Sequence, residues 1–296
     1  MNIQKSYHSE AERGILYLVG TPIGNLEDIT YRALRILQEV DLIAAEDTRH
    51  TLKLLNHFQI QKPLISYHEH NKQQRGDDLI DLLLQGKNIA LVSDAGMPAI
   101  SDPGYELVVQ AIEKKITVTP IPGPNAALTA LIASGLSTKR FLFLGFLSRE
   151  KKELYQELEK YKFFLETLIF YEAPHRIEKT LKAMREVFGN RKMVLIRELT
   201  KKYEEFIRGQ LDEVIQYVKE NEVKGELTLI IEGATKETVG QLGENWWNTL
   251  SLVEHVDHYI EQGFSVKEAI KKTSVDRKLA KREVYQAYHI ENRKKK

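Results

Sequence analysis

The hydrophobic positions of this chain fall into two successive rhythms. From residue 14 to about 120, short apolar runs rich in β-branched residues alternate with stretches whose apolar positions recur every three or four residues. The runs at 15–19, 42–45, 64–67, 89–93 and 117–121 predict strands. Between them, residues 28–40 and 77–85 predict amphipathic helices; in the first, Ile29, Leu34 and Leu37 fall near one face, with Asp28 or Thr30 as the cap. Apolar strands separated by helices indicate βαβ units around a parallel sheet covered on both faces. The segment IPGPNA (121–126) interrupts this rhythm, because Pro122 and Pro124 forbid a regular helix there, and it predicts a turn or an interdomain crossover.

Beyond it the pattern changes. FLFLGF (141–146) precedes a charged helix; LIFYEA (168–173), a helix over about 175–188, and KMVLIREL (192–199) follow. EEFIRGQL (204–211) is close enough to pair antiparallel with its predecessor, and GELTLIIEG (225–233) comes after another short helix. The expected architecture is α/β: an N-terminal parallel-sheet domain at 14–122, a mixed-sheet domain at 123–234, and a small helical, basic module at 240–290, with Trp246 and Trp247 packing it onto the body.

Composition narrows the class. A chain of 296 residues that is 42% hydrophobic can bury a sizeable core, so wholesale disorder is excluded. Its lack of cysteine removes disulfides, thiolate metal sites and cysteine nucleophiles. The first 25 residues lack the charged start and apolar run of a signal peptide, and no run approaches the roughly 20 apolar residues needed to span a bilayer. A cytoplasmic protein without membrane association is expected. The net charge of +1 conceals an asymmetry: residues 266–296 carry +7 and the remainder about −6. Such a tail either keeps the protein soluble or meets phosphates.

The unusual residues lie where the predicted strands end. GTPIGN (20–25), AEDTR (45–49), SDAGMPAISDPG (93–104) and IPGPNA each follow a strand, and ligands of open parallel sheets bind beyond the carboxyl ends. Loops favour these residue types anyway, but four such loops at one sheet edge point to a site. Common chemistries are absent: no GxGxxG, no GxxxxGK[ST], no HExxH and no GxSxG occurs. His68, Glu69 and His70 would point to opposite faces of a strand and lack a third ligand, so no metal is expected. Glycines 20, 24, 96, 104 and 123 let a ligand approach the backbone, Met97, Ile23 and Pro98 could flank a flat ring, and Asp94 could accept from an amine or a ribose hydroxyl. That suits a nucleoside-containing cofactor without phosphates.

Taken together and in order, VGTPIGN, AEDTR, SDAGMPAISDPG, IPGPNA, YEAPHR (171–176) and RELTK (197–201) resemble the small-subunit ribosomal RNA methyltransferase I family of the tetrapyrrole methylase superfamily, over roughly residues 14–234. The resemblance implies two α/β domains with S-adenosylmethionine in the cleft between them, a homodimer, and methyl transfer to the 2′-hydroxyl of a cytidine in the small-subunit decoding region. It implicates Asp94, Ala95, Gly96 and Met97 in cofactor binding, with Asn125 and Ala126 of the crossover, Ile23, Tyr171 and Glu198. By the same resemblance the first loop, with Gly20, Pro22 and Asn25, faces RNA; His175 and Arg176 join it, and Lys278, Lys281 and Arg282 of the basic module extend it.

In-line transfer from a sulfonium depends on alignment, and a ribose hydroxyl needs an acceptor for its proton. Asp47, Asp102, Glu172 and His175 are candidates for that acceptor, with Arg49 placed at the site to hold phosphate alongside Arg176. Each has a plainer role open to it. Asp47 could cap a helix starting near Thr48, Asp102 could be a turn residue, His175 and Arg176 could start a helix, and Arg49 could pair with Glu46 or Asp47. In the basic module, Val266, Ala269 and Ile270, then Val275, Leu279 and Val284, suggest two helices around a turn near Thr273, contacting RNA or clamping a dimer or domain. A tetrapyrrole C-methyltransferase and a non-enzymatic RNA-binding protein are the competing expectations; the acids of AEDTR and YEAPHR argue against a polycarboxylate acceptor.

Overall fold

A computed structural model describes residue 4, residues 13–235, residue 247, and residues 250–261 and 264–294. It divides into two compact units, Met1–Gly233 and Ala234–Lys296.

The first unit holds two sheets. Strands β1 (Ile15–Val19), β2 (Leu42–Ala45), β3 (Leu64–Ser66), β4 (Ile89–Val92) and β5 (Thr117–Ile121) form a parallel sheet in the order β3-β2-β4-β1-β5. All four residues of β4, its central strand, are buried, which is why it reads as a continuous apolar run rather than an alternation. Helices α1 (Tyr31–Glu39), α2 (Thr48–His57), α3 (Lys72–Leu84) and α4 (Tyr105–Glu113) connect the strands. Separate apolar clusters lie on the two faces, one around Leu37, Ile43 and Leu55, the other around Leu16, Leu79 and Leu107.

Several boundaries differ from the sequence pattern. The expected helix at 28–40 starts later, at Tyr31, after a 3₁₀ turn over Leu26–Asp28, and Thr30 rather than Asp28 caps it by accepting from the Ala33 amide. α3 starts at Lys72, five residues before the expected start, because its polar first turn hides the periodicity. His68, Glu69 and His70 lie past the end of β3, in the turn that leads into α3.

The helix α5 (Ala126–Ser134) follows the crossover and was not legible from periodicity. It buries Ala127, Ala130 and Leu131 against Ile169, Val194 and Ile230 of the second sheet, and Ile23 of the first sheet's leading loop joins the same cluster. Burying an isoleucine stabilises by about 1.5–3 kcal/mol, so Ile23 helps hold the two sheets together.

The second sheet comprises β6 (Phe141–Phe146), β7 (Thr167–Glu172), β8 (Lys192–Arg197), β9 (Glu205–Gln210) and β10 (Leu227–Ile231), in the order β6-β7-β10-β8-β9. It is mixed: β6 and β7 run parallel, and the other pairings are antiparallel, including the expected β8–β9 pair. Helices α6 (Lys151–Tyr161), α7 (Ile177–Phe188) and α8 (Leu211–Glu220) pack on the face opposite α5.

The second unit contains α9 (Leu252–Glu261), α10 (Val266–Asp276) and α11 (Lys281–Lys294), closed over Val253, Val256, Ile270, Val284 and Tyr288. Ser265 and Glu268 form a capping box at the start of α10. Thr273 is buried inside α10, and the turn falls at 277–280 instead of near Thr273. Val266 and Val275, expected in apolar stripes, are exposed. The Arg277 guanidinium closes the bundle by donating to the Trp247 and Leu250 carbonyls, at 2.6 and 2.5 Å. Trp247 stacks on His255 within this unit; Trp246, Lys295 and Lys296 lie outside the described residues.

Candidate functional site

The four loops singled out in the sequence meet at the carboxyl edge of the parallel sheet. Thr21 and Gly96 exchange backbone hydrogen bonds of 2.9 and 3.0 Å, joining the loops after β1 and β4. The loops after β1 and β5 pack backbone against backbone at Gly20 and Gly123: a Cβ on Gly20 would stand 2.8 Å from the Gly123 Cα, and 2.7 Å from the Met97 sulfur. The Asp94 carboxylate accepts from the Asp47 amide at 3.0 Å, tying in the loop after β2.

Backbone strain marks the same region. Ala99 and Ser101 in the loop after β4, and Glu198 and Thr200 after β8, have left-handed φ values of 66°, 63°, 51° and 67°. The positive φ values of Gln59, Lys115 and Lys278 follow helix ends, where they are ordinary. Non-glycine residues in this region each cost on the order of 1–3 kcal/mol and cluster at ligand sites.

Here lies a cavity of about 420 Å³, within the range of small-molecule sites. The first sheet contributes Ile23, Glu46, the run from Asp94 to Met97, Asp102, and Asn125 and Ala126; the second contributes Phe146, Tyr171, Glu172 and the segment from Glu226 to Thr228. Apolar contact comes from Ile23, Met97 and Tyr171, the last edge-on to Phe143 at 4.9 Å between ring centroids. The Tyr171 hydroxyl accepts from the Ala127 amide at 3.2 Å, which fixes β7 to the start of α5. Asn125 caps that helix by accepting from the Leu128 amide.

Five carboxylates line this cavity (Glu46, Asp94, Asp102, Glu172 and Glu226), and among the described residues no lysine, arginine or histidine does. Burial, reinforced by the charge of Glu46, pushes the Asp102 carboxyl up to about 6, although the Ser93 hydroxyl donates to it. Glu46 is itself raised, first by burial and then by the neighbouring acids, against the opposing effect of the Asp94 amide. Tyr171 is raised by burial and by the charge of Asp102. Such a surface suits a positively charged ligand with an apolar body and repels phosphates and polycarboxylates.

A second cavity, about 480 Å³, adjoins the first and shares Ile23, Asp94, Ala95 and Glu226 with it. Its other walls are the first loop, with Pro22, Gly24 and Leu26, the α2 residues His50, Lys53 and Leu54, and Lys201.

Several residues predicted for the site have other work. Asp47 caps α2 through the Arg49 amide and pairs with the Arg49 guanidinium at 2.8 Å, which holds its carboxyl well below the usual range. Arg49 is 87% exposed and lines neither cavity. Glu172 lines the first cavity, but its carboxylate is 1% exposed and engaged by Thr180, the Ala173 amide and Arg176. Arg176 turns inward to the Leu147 and Ser148 carbonyls, at 3.0 and 2.9 Å. His175 is exposed and lines neither cavity. Glu198 lies outside both linings; it accepts from the Glu226 amide and from Lys201, at 3.0 and 3.1 Å. Gly20 is a packing contact, and Asn25 caps the 3₁₀ turn through the Glu27 amide; only Pro22 of that trio lines a cavity. Lys278, Lys281 and Arg282 are exposed in the second unit.

Glu46, Glu226 and Lys201 were missed as site residues. Glu46 sits one position before Asp47 in the same motif, and Lys201 belongs to RELTK; Glu226 carried no signal beyond preceding an apolar strand.

Residues 15–215 match the family model of the tetrapyrrole (corrin/porphyrin) methylases. A protein of Halalkalibacterium halodurans called ribosomal RNA small subunit methyltransferase I is 58% identical over 98% of this chain and 100% of its own length. One of the same name from Bacillus subtilis is 57% identical over 97% of this chain and 98% of its own length. Among solved structures, a diphthine synthase superposes with a TM-score of 0.61 at 15% identity, covering 77% of this chain and 95% of that one, a likeness of fold. No described helix is long and apolar enough to cross a membrane.

Proposed function

The chain belongs to the tetrapyrrole methylase family of S-adenosylmethionine-dependent methyltransferases, and on that premise we propose that it methylates the 2′-hydroxyl of a cytidine in the decoding region of small-subunit ribosomal RNA. The observation that carries the reading is the first cavity, whose titratable lining is acidic apart from Tyr171. S-adenosylmethionine, when bound, supplies an electrophilic methyl group on a positively charged sulfur. Ile23, Asp94, Ala95, Gly96, Met97, Asn125, Ala126 and Tyr171 would hold it, the carboxylates favouring its sulfonium and ammonium charges and the apolar side chains its ring. A tetrapyrrole acceptor, being a polycarboxylate, would meet Glu46, Asp94 and Asp102 at close quarters and be repelled.

Asp102 is the group suited to take the hydroxyl proton. With a value near 6 it is ionised at neutral pH, yet more basic than a solvated aspartate, the compromise a general base needs. Glu172, held by three partners, shapes the wall instead, and Glu198 positions Lys201 and the Glu226 backbone rather than touching cofactor.

Ribosomal RNA as substrate also supports a cytoplasmic location. Exposed Leu128 and Ile132 on α5 support a homodimer, which sedimentation of Ile132→Glu against wild type would test. Exposed Lys278, Lys281 and Arg282 support RNA contact by the second unit.

The test of function is direct. Purified protein is incubated with methyl-labelled S-adenosylmethionine and either small subunits or their free RNA, and the RNA is digested to nucleosides. Label in 2′-O-methylcytidine is the expected result; unlabelled RNA, or label on a base, overturns the proposal.

A further inference from the structure

We infer that the second cavity seats the acceptor nucleotide, and that Lys53 of α2, with Lys201 across the opening, binds the RNA phosphates flanking it. The inference rests on the RNA-methylation reading and assigns the acceptor a place.

Position and charge argue for it. The two cavities share Ile23, Asp94, Ala95 and Glu226, so a group seated in the second abuts a cofactor in the first. Their chemistry differs: the second keeps only two of the carboxylates, Asp94 and Glu226, and sets basic groups beside them. The first is lined by five carboxylates; the second adds His50, Lys53 and Lys201. A methyl donor that carries positive charge and an acceptor that carries phosphates need this division. Pro22, Leu26 and Leu54 supply apolar surface for an unstacked base, the form in which single-stranded RNA presents its nucleotides.

The two arginines expected to bind phosphate are committed elsewhere: Arg49 to Asp47, and Arg176 to two carbonyls and Glu172. Lys53, by contrast, is exposed and forms no ion pair among the described residues, and His50, one turn before it on α2, forms none either. Lys201 is anchored: its stem lies over Gly24, where an added Cβ would meet its Cγ at 2.4 Å, and its ammonium bridges Glu198 and Glu226 at 3.1 and 3.2 Å. It therefore links the first loop to the rim of the cofactor cavity. Glu226 is 74% exposed and can swing aside for a phosphate, leaving Glu198 to hold the lysine.

The experiment measures binding of a fluorescent single-stranded RNA oligomer to full-length wild type, Lys53→Ala and Lys53→Glu across a salt series, with a thermal shift by S-adenosylmethionine as the check on folding and cofactor. Lys114→Ala, at the end of α4 on the amino side of the same sheet, is the control. Loss of one charge-assisted contact should weaken RNA about tenfold in Lys53→Ala, and more in Lys53→Glu. The log–log salt slope should fall by about 0.7 for Lys53→Ala, while the cofactor shift and the control stay at wild type. Equal affinity and slope in wild type and both Lys53 variants overturn the inference while leaving RNA methylation standing. If wild type neither binds nor methylates RNA, the underlying reading fails instead.

Discussion

Two loops at the carboxyl edge of the same sheet show how one residue type is put to opposite uses. The loop after β4 carries Asp102 into an acidic cavity, where burial and Glu46 raise its carboxyl to about 6. The loop after β2 carries Asp47 to the surface, where it caps α2 and Arg49 holds its carboxyl far below the ordinary range. Neither difference is visible in the local composition, since each aspartate sits in a loop that carries a second acid. Environment separates them: one aspartate is half-buried beside other acids, the other is paired with a cation. On the proposed reading the first is suited to accept a proton, and the second is a structural device.

The strongest way to break this contrast is Asp102→Asn. If Asp102 accepts the hydroxyl proton, turnover should fall about 10²–10⁴-fold while S-adenosylmethionine still binds, measured by methyl incorporation and by calorimetry. Turnover within threefold of wild type would return Asp102 to the status of a turn residue. In wild type, activity should decline as pH falls through about 6, as the carboxylate takes up its proton.

The same variant has a stability signature of definite sign. Asp102 has its value raised from 3.8 to about 6 in the folded state, so the folded protein holds that proton more tightly than the unfolded chain. The associated stability is present below about pH 4 and is lost as pH rises through 6, leaving the charged carboxylate as a cost at neutral pH. Asparagine removes that cost. Denaturant unfolding should therefore show Asp102→Asn more stable than wild type by on the order of 1–3 kcal/mol at pH 8, with the gain vanishing near pH 4. A gain that is constant with pH would assign it to packing.

Glu46→Gln tests the coupling within the cavity. Removing its charge removes one of the effects that raise Asp102, so the acid limb of the activity profile should move to lower pH. An unmoved limb would leave burial and the charge of Asp94 as the causes.

Much of this was legible in the sequence, for identifiable reasons. Strands covered on both faces must be apolar throughout, so β1, β2 and β4 stood out, and their trailing loops pointed to the candidate site. The helix α5 escaped because AALTALIAS has no polar face to set a period, and it packs through small residues on the second sheet. Within EDTR, sequence could not decide which acid faces the cavity. A change of backbone direction at the helix start separates neighbours, sending Glu46 to the lining and Asp47 to the cap. The arginines were misplaced for a related reason. Arg176 satisfies carbonyls at the end of β6, contacts that arise from the second sheet's packing and leave no trace in local pattern.

Arg49→Ala is the mildest change and the sharpest test of the outward-facing loop. Its guanidinium is 87% exposed and its partner Asp47 is a surface group, so little stability depends on the pair. Cofactor affinity should stay within about twofold of wild type, because Arg49 lines neither cavity. Any effect on methylation must then enter through RNA held outside the cavities. It should appear as a raised KM for RNA at nearly constant kcat, of no more than about tenfold for one charge-assisted contact. Single-turnover rates at saturating RNA distinguish the two cases. A rate close to wild type keeps Arg49 outside the chemistry. A rate that falls as far as that of Asp102→Asn would place its guanidinium at the reacting atoms and require the loop after β2 to close inward when RNA binds.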